Sequence, residues 1–254
     1  MIHLKTDQEI EILRENNLLV SRTLAEVGKN IRPGVTTREL NRIAEEFIRA
    51  NGAEPAFLGY QGYPASVCIS VNEQVVHGIP RKTRILQEGD IISVDVGAIL
   101  DGYQSDACRT YMVGNVAPEV KDLVERTEKS FWIGLEYAKV GMRTGDIGHA
   151  IQEYCEGFGY GVVRELTGHG IGTTMHQDPD VPNYGRPGHG YKLKKGMAIC
   201  IEPMITLGTR EIEQLDDRWT IVTQDGKPAS HYENTILITD EGPYLTTYDY
   251  EEGF

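Results

Sequence analysis

The chain has 254 residues, 40% of them hydrophobic and 25% charged, and its 38 acidic against 25 basic side chains give a formal net charge of −13. That length and composition suit one large core or two medium ones in a soluble globular protein. The negative balance argues against a nucleic-acid groove or an anionic membrane surface as the main partner, and it leaves charge for bound cations to neutralise. The opening, MIHLKTDQEIEILRENN, is charged and amphipathic, with no basic stub leading into an apolar run. No later apolar segment reaches roughly 18 residues, so neither secretion nor membrane insertion is expected. Cys68, Cys108, Cys155 and Cys200 lie far apart without a C-x-x-C pair, which predicts reduced core thiols in a cytoplasmic protein.

In chain order, the apolar spacing predicts an amphipathic helix over 7–29, then a turn and a second helix ending near Gly52. Strand-like segments follow at 66–72, 90–99 and 103–113. Gly and Pro in GNVAPEV, residues 114–120, break the pattern. Two further helices are then predicted over 119–141 and 145–161, so a helix–helix–strand order occurs twice. The recurrence extends to residues: Gly34 aligns with Gly141, Gly89 with Gly196 and Asp95 with Glu202, each 107 positions later. The expectation is an α+β fold of one domain, 1–254, with duplicated halves at about 1–113 and 119–254, each contributing acids to one site.

Those acids stand in unusual company. In GDIISVDVGAILDGYQSDACRTYMVG, residues 89–114, Asp95 sits inside an apolar, β-branched run and Asp106 just beyond a turn. If Asp101-Gly102 is a two-residue hairpin turn, Leu100 faces Tyr103, Asp95 faces Cys108 and Gly97 faces Asp106. Both aspartates then share one face with Ser93 and Gly97, while Ile92, Val94, Val96 and Ala98 take the other. As diagonal neighbours their Cβ atoms would be about 7–8 Å apart or less, which two side chains can close around a pair of cations. In AICIEPMIT, Ile199, Ile201 and Ile205 form an apolar side opposite Cys200 and Glu202; in SHYENTILIT, Glu233 stands in another β-rich run. An exposed strand end or a distant Arg explains one such acid readily, but not four in strand interiors that hold few basic residues, because buried carboxylates without counter-charge are very costly.

A nitrogen donor is available in ELTGHGIGTTMHQDP, where glycines flank His169 and His176 follows. The glycines would allow a close backbone approach to a metal or substrate. One imidazole with four carboxylates is an oxygen-rich set suited to Mn(II), Fe(II) or Co(II) more than to a sulfur-rich zinc site.

Taken together, SVNEQVVHGIP, DVGAILDGYQSD, TGHGIG, IEPMI and YENTILIT resemble the type I methionine aminopeptidases of the pita-bread metallopeptidase family M24, over about residues 5–248. The resemblance implies a pita-bread fold built around an antiparallel sheet. It implies five metal ligands, Asp95, Asp106, His169, Glu202 and Glu233, with Asp106 and Glu233 bridging two divalent ions drawn from Co, Mn, Fe, Zn or Ni. His77 and His176 would flank the substrate. The absence of a long insertion between the TGHG and IEP segments, and of an N-terminal zinc or linker extension, resembles the short bacterial form.

The implied reaction is removal of the N-terminal methionine from peptides and nascent proteins, including chains at the ribosome, when the second residue is small. Two divalent ions acidify a bridging water to hydroxide and polarise the scissile carbonyl; Glu202 doubles as proton carrier, and His77 and His176 position the peptide or stabilise the tetrahedral intermediate. By the same resemblance Phe57, Tyr60, Tyr63, Cys68, His77, Met175, His176 and Trp219 line the methionine pocket. Phe57 departs from a common Cys and Met175 from a common aromatic residue, and SHYEN departs from the common A-Q-x-E-H, so that His231 and Asn234 replace the usual neighbours of Glu233. A monomer without nucleic-acid or membrane partners is expected. Proline-directed peptidases and creatinases share the five ligands but usually carry a large extra N-terminal domain, and non-catalytic pita-bread binding proteins typically lack the ligands.

Overall fold

The computed structural model describes residues 2–251 and 253. The described residues form the four expected α-helices and fifteen strands, many of them short ones that the sequence pattern does not single out. Helix α1 (Asp7–Gly28) begins at a capping box: Thr6 Oγ1 accepts from the Glu9 N–H at 3.3 Å and Glu9 accepts from the Thr6 N–H at 2.7 Å. Its Leu13, Val20, Leu24 and Val27 recur at helical spacing and are buried. Helix α2 (Thr37–Ala50) is capped by Thr36 and buries Leu40, Ala44 and Ile48 completely. Helix α3 (Pro118–Leu135) opens on Pro118 in its first turn. It ends at Leu135, short of the expected residue 141, and Gly141 itself adopts φ 94°, which a right-handed helix does not admit. Helix α4 (Thr144–Glu156) likewise ends ahead of 161: Gly159 turns the chain at φ 82° and residues 161–162 leave as a strand.

The strands of the first half are β1 (Glu54–Pro55), β2 (Cys68–Val71), β3 (Gln74–Val76), β4 (Ile91–Leu100) and β5 (Tyr103–Met112). Those of the second are β6 (Gly161–Val162), β7 (Gly168–Gly170), β8 (Gln177–Val181), β9 (Ala198–Ile201), β10 (Met204–Thr206), β11 (Ile212–Gln214), β12 (Ile221–Thr223), β13 (Ala229–His231), β14 (Glu233–Thr239) and β15 (Gly242–Leu245). A nine-stranded sheet runs β1-β4-β5-β14-β9-β7-β8, with β2 also on β4 and β15 on β14; two three-stranded sheets, β13-β10-β6 and β11-β12-β3, complete the framework. The β4–β5 hairpin has the expected register, Asp95 opposite Cys108 and Gly97 opposite Asp106. Positive φ at both Asp101 (49°) and Gly102 (79°) is the turn geometry that an Asp-Gly pair supplies.

The duplication is written in the backbone. Gly34 N–H donates to Leu86 O at 2.8 Å and Gly141 N–H to Leu193 O at 3.0 Å, while Thr37 N–H donates to Arg84 O and Thr144 N–H to Tyr191 O, both at 3.0 Å; donors and acceptors alike are shifted by 107 positions. Each half places its helices on the same side of the sheet. Ile92, Val94, Val96 and Ala98 pack with α1 and α2 residues, and Ile199, Ile201, Ile236 and Ile238 pack with Phe131, Ile147 and Ile151 of α3 and α4. The halves meet where β5 pairs with β14, Glu233 opposite Cys108. The sheet face away from the helices is thereby left for the acids. Among the described residues no helix is long and apolar enough to cross a membrane.

Candidate metal centre and its cavity

Carboxylates from both halves converge at that seam. Asp95 and Asp106 lie within β4 and β5 as expected, but Glu202 follows the last residue of β9 and Glu233 is the first residue of β14. The strand-interior expectation therefore fails for the two glutamates: Pro203 lacks the N–H needed to continue the β9 ladder, and Tyr232 N–H donates to Pro203 O at 3.2 Å across the break. Both glutamates still turn inward. Asp106 is 5% and Glu233 2% exposed. Asp95 Oδ1, Asp106 Oδ1, Glu202 Oε1 and Glu233 Oε1 are all buried without a hydrogen-bond partner among the described residues, a costly condition for four acids in one place. A cation is what such oxygens lack.

His169 supplies the expected nitrogen. Its Nδ1 is 2.9 Å from Gly170 O, so the Nδ1–H tautomer leaves the Nε2 lone pair facing the acids. Nε2 lies 3.7 Å from Asp106 Oδ2 and 3.6 Å from Glu202 Oε1, too far for hydrogen bonds but a spacing that one ion about 2.0–2.2 Å from each donor would span. Two donor groups have all their atoms within 4.8 Å of one another: Asp106, His169, Cys200 and Glu233, and Glu202, His231 and Glu233. Glu233 belongs to both. Asp95 stands outside both groups, close enough to Asp106 for the two carboxyls to shift one another's protonation.

The electrostatics agree with a missing positive charge. Burial first, and then repulsion from one another, pushes Asp106, Glu202 and Glu233 well above the usual carboxylate range; burial likewise raises Asp95. Burial holds His77 and His169 down to about 4 and His231 to about 3, so these imidazoles are neutral and offer lone pairs. Cys200 is held as a thiol by burial and the neighbouring carboxylates, which suits a hydrogen-bond donor better than a metal ligand.

The glycines around His169 impose a tight path on the chain. A Cβ at Gly168 would fall 2.3 Å from Cys200 O, and one at Gly170 would fall 2.2 Å from Asp178 O. They let β7 lie tightly between β9 and β8.

The expected metal ligands and pocket residues, from Phe57 to Glu233, all border one cavity of about 190 Å³. At one end Tyr63 and Trp219 meet edge-on with ring centroids 5.1 Å apart, and Trp219 is 6.4 Å from His77. His77 adopts φ 58°, a left-handed conformation uncommon outside glycine, and turns its ring into the cavity. Tyr60 Oη is 2.9 Å from His176 Nδ1, and the His176 and His169 rings are 4.3 Å apart. Phe57 and Met175 close over Gly97, where a Cβ would come within 2.8 Å and 3.0 Å of them. Cys68 lies beside Asp95 on the paired strand.

Other residues were not singled out. Gln61, Val76, Leu166, Thr167 and Met204 also line the cavity. Arg109, 6% exposed, donates to Glu233 O at 2.6 Å and Asn234 Oδ1 at 2.7 Å from the helix side of the sheet. Asn234, which departs from the family pattern, is thereby explained as its acceptor. Asn183 Nδ2 donates to Glu202 O at 2.9 Å, and no spacing in the sequence indicates that bond.

Residues 11–240 match the model of the family described as Metallopeptidase family M24. A methionine aminopeptidase of Clostridium acetobutylicum is 55% identical over 247 residues, covering 97% of this chain and 99% of its own. Methionine aminopeptidase 1 of Bacillus subtilis is 50% identical over 242 residues, covering 95% and 97% respectively. Among solved structures, methionine aminopeptidase from Thermotoga maritima is similar with a TM-score of 0.97 at 43% identity, covering 98% of this chain and 100% of its own. A prolidase from Pyrococcus furiosus is similar with a TM-score of 0.80 at 26% identity, and this chain spans 65% of it.

Proposed function

The chain belongs to the methionine aminopeptidases of metallopeptidase family M24, a class of metallo-exopeptidases, and from that membership we propose that its cavity releases the first methionine of nascent proteins whose second residue is small. The observation that carries the reading is the set of four buried carboxylates with unpartnered oxygens beside a neutral imidazole. Asp95, Asp106, His169, Glu202 and Glu233 would hold two divalent ions, with Asp106 and Glu233 between them. When bound, such a pair supplies an acidified water and an electrophile for the scissile carbonyl.

The protein's own groups do the rest. Glu202, whose Oε1 has no partner, takes the proton released as water adds to the carbonyl carbon and returns it to the departing amide nitrogen as the C–N bond breaks. His77 and His176 flank the peptide, with His176 oriented by the Tyr60 hydroxyl. Tyr63, Trp219, Phe57, Met175 and Cys68 form an apolar wall for an unbranched thioether, whose sulfur favours aromatic contacts. The second residue lies over the metal centre beside His169, where only Gly, Ala or Ser fits. The buried free thiols support a reducing, cytoplasmic setting and the charge of −13 disfavours a nucleic-acid partner; a monomer acting on nascent peptides is part of the same proposal.

Hydrolysis of Met-Ala-Ser, Met-Leu-Ser and acetylated Met-Ala-Ser by anaerobically metal-loaded protein tests this. Met-Ala-Ser should be cleaved far faster than Met-Leu-Ser, and the acetylated peptide hardly at all. Comparable kcat/KM for the first two, or faster cleavage of an X-Pro substrate, would transfer the chain to the proline-directed activity of its prolidase neighbours.

A further inference from the structure

We infer that His231 is a direct sixth protein ligand of the metal centre, paired with Glu202 and Glu233; the inference rests on the dinuclear reading above. His231 ends β13, is 2% exposed, and its Nε2 has no hydrogen-bond partner among the described residues. A buried ring nitrogen without a partner needs an explanation. Nε2 lies 3.9 Å from Glu202 Oε2 and 3.7 Å from Glu233 Oε2, too long for hydrogen bonds. These distances match the 3.6 and 3.7 Å that separate His169 Nε2 from its own two carboxylates. The same chord calls for the same filler, an ion about 2.0–2.2 Å from each donor.

The backbone at His231 is held before any ion arrives. Thr110 Oγ1 donates to His231 O at 2.8 Å and accepts from the His231 N–H at 3.1 Å, and Met204 pairs with His231 across β10 and β13. A fixed backbone sets where the side chain leaves the strand, part of the preorganisation a ligand needs. The cluster then has an imidazole at each end, His169 with Asp106 and His231 with Glu202, and Glu233 common to both groups. A second imidazole also moves the donor set from oxygen-rich toward one that favours Co, Ni or Zn over Mn.

The test uses the full chain loaded anaerobically with Mn(II) or Co(II), comparing wild type, His231→Gln and His169→Gln by equilibrium dialysis and by counting metal-coupled nitrogens with pulsed electron paramagnetic resonance. Wild type should show two imidazole couplings, one lost in each variant. His231→Gln should weaken one ion by more than about 100-fold, beyond the roughly 10–100-fold of a residue that merely orients a ligand, and should shift relative affinity toward Mn. Two ions bound by wild type with a single coupling, abolished by His169→Gln, would overturn the role of His231 and leave the dinuclear reading standing. No divalent ion bound by wild type would overturn both. The wild-type nitrogen count decides even if His231→Gln folds poorly.

Discussion

Asp106 lines the cavity, and burial with the neighbouring Glu233 and Asp95 carboxylates pushes it well above the usual carboxylate range. Asp106→Asn removes one negative charge without changing shape, so it should release at least one ion and lower turnover by at least about 10³-fold, the equivalent of the several kcal/mol that metal-assisted charge stabilisation supplies. Full activity with two bound metals would overturn the ligand assignment. His77 predicts the opposite split. It belongs to neither donor group, so His77→Ala should keep metal content near wild type while kcat falls about 10²-fold or more; loss of metal would make His77 a ligand. Asp95 was legible in the sequence because an acid inside a β-branched run is an anomaly, and Asp106 because the Asp101-Gly102 turn sets it on the same face. Arg109 and the aim of His231 were not, because both depend on which strands lie across from them, and nothing in their own spacing reports that.

Elements were legible in proportion to their length. The β4–β5 register followed from one dipeptide, and the four helices from apolar spacing, with errors confined to the ends where Gly141 and Gly159 turn the chain. Strands of two to five residues such as β6, β7 and β10 have no room to display a period, and β7 consists of a histidine between two glycines. Its tightness gives a prediction: Gly170→Ala forces a Cβ to 2.2 Å from Asp178 O, so it should destabilise the protein by about 1–3 kcal/mol and reduce metal affinity by shifting His169. Unchanged stability and affinity would mean that the strands can part freely. The start of α1 makes a pH prediction. Burial alone would raise the Glu9 carboxyl, but hydrogen bonds from the Thr6 backbone, His3, the Thr6 hydroxyl and Tyr103 outweigh it and draw it down to about 2. A depressed folded value stabilises the protein above the unfolded value of roughly 4.5 and ceases to do so as pH falls through about 2. Denaturant unfolding of wild type and Glu9→Gln should therefore differ by about 1 kcal/mol, the usual scale of a helix cap, at pH 6, with the gap closing toward pH 2. A gap independent of pH would refute the assignment to the ionised carboxylate.

At the scale of the whole molecule, the two halves share the proposed ligands between them: Asp95 and Asp106 come from the first, and His169, Glu202 and Glu233 from the second. The helix-side cores of the two halves are distinct clusters, joined across the β5–β14 pairing where only Glu233 and Asn234 face Cys108 and Ala107. Without cations, four acids repel one another at that seam; under the proposed dinuclear reading, bound cations would turn the same acids into a tie between the halves. Metal binding to the folded chain alone should therefore raise its stability by about 2.7 kcal/mol per ion at a free concentration of 100 Kd. At about 2–4 °C per kcal/mol for a chain of this size, one ion should raise Tm by about 5–10 °C, and the second should add to it. Scanning calorimetry of chelated and metal-loaded protein measures the shift directly, and Asp106→Asn serves as the control in which it should shrink to a small fraction. A Tm indifferent to saturating metal in the wild type would mean that the ions do not bind the folded seam, and the carboxylates there would need another source of positive charge.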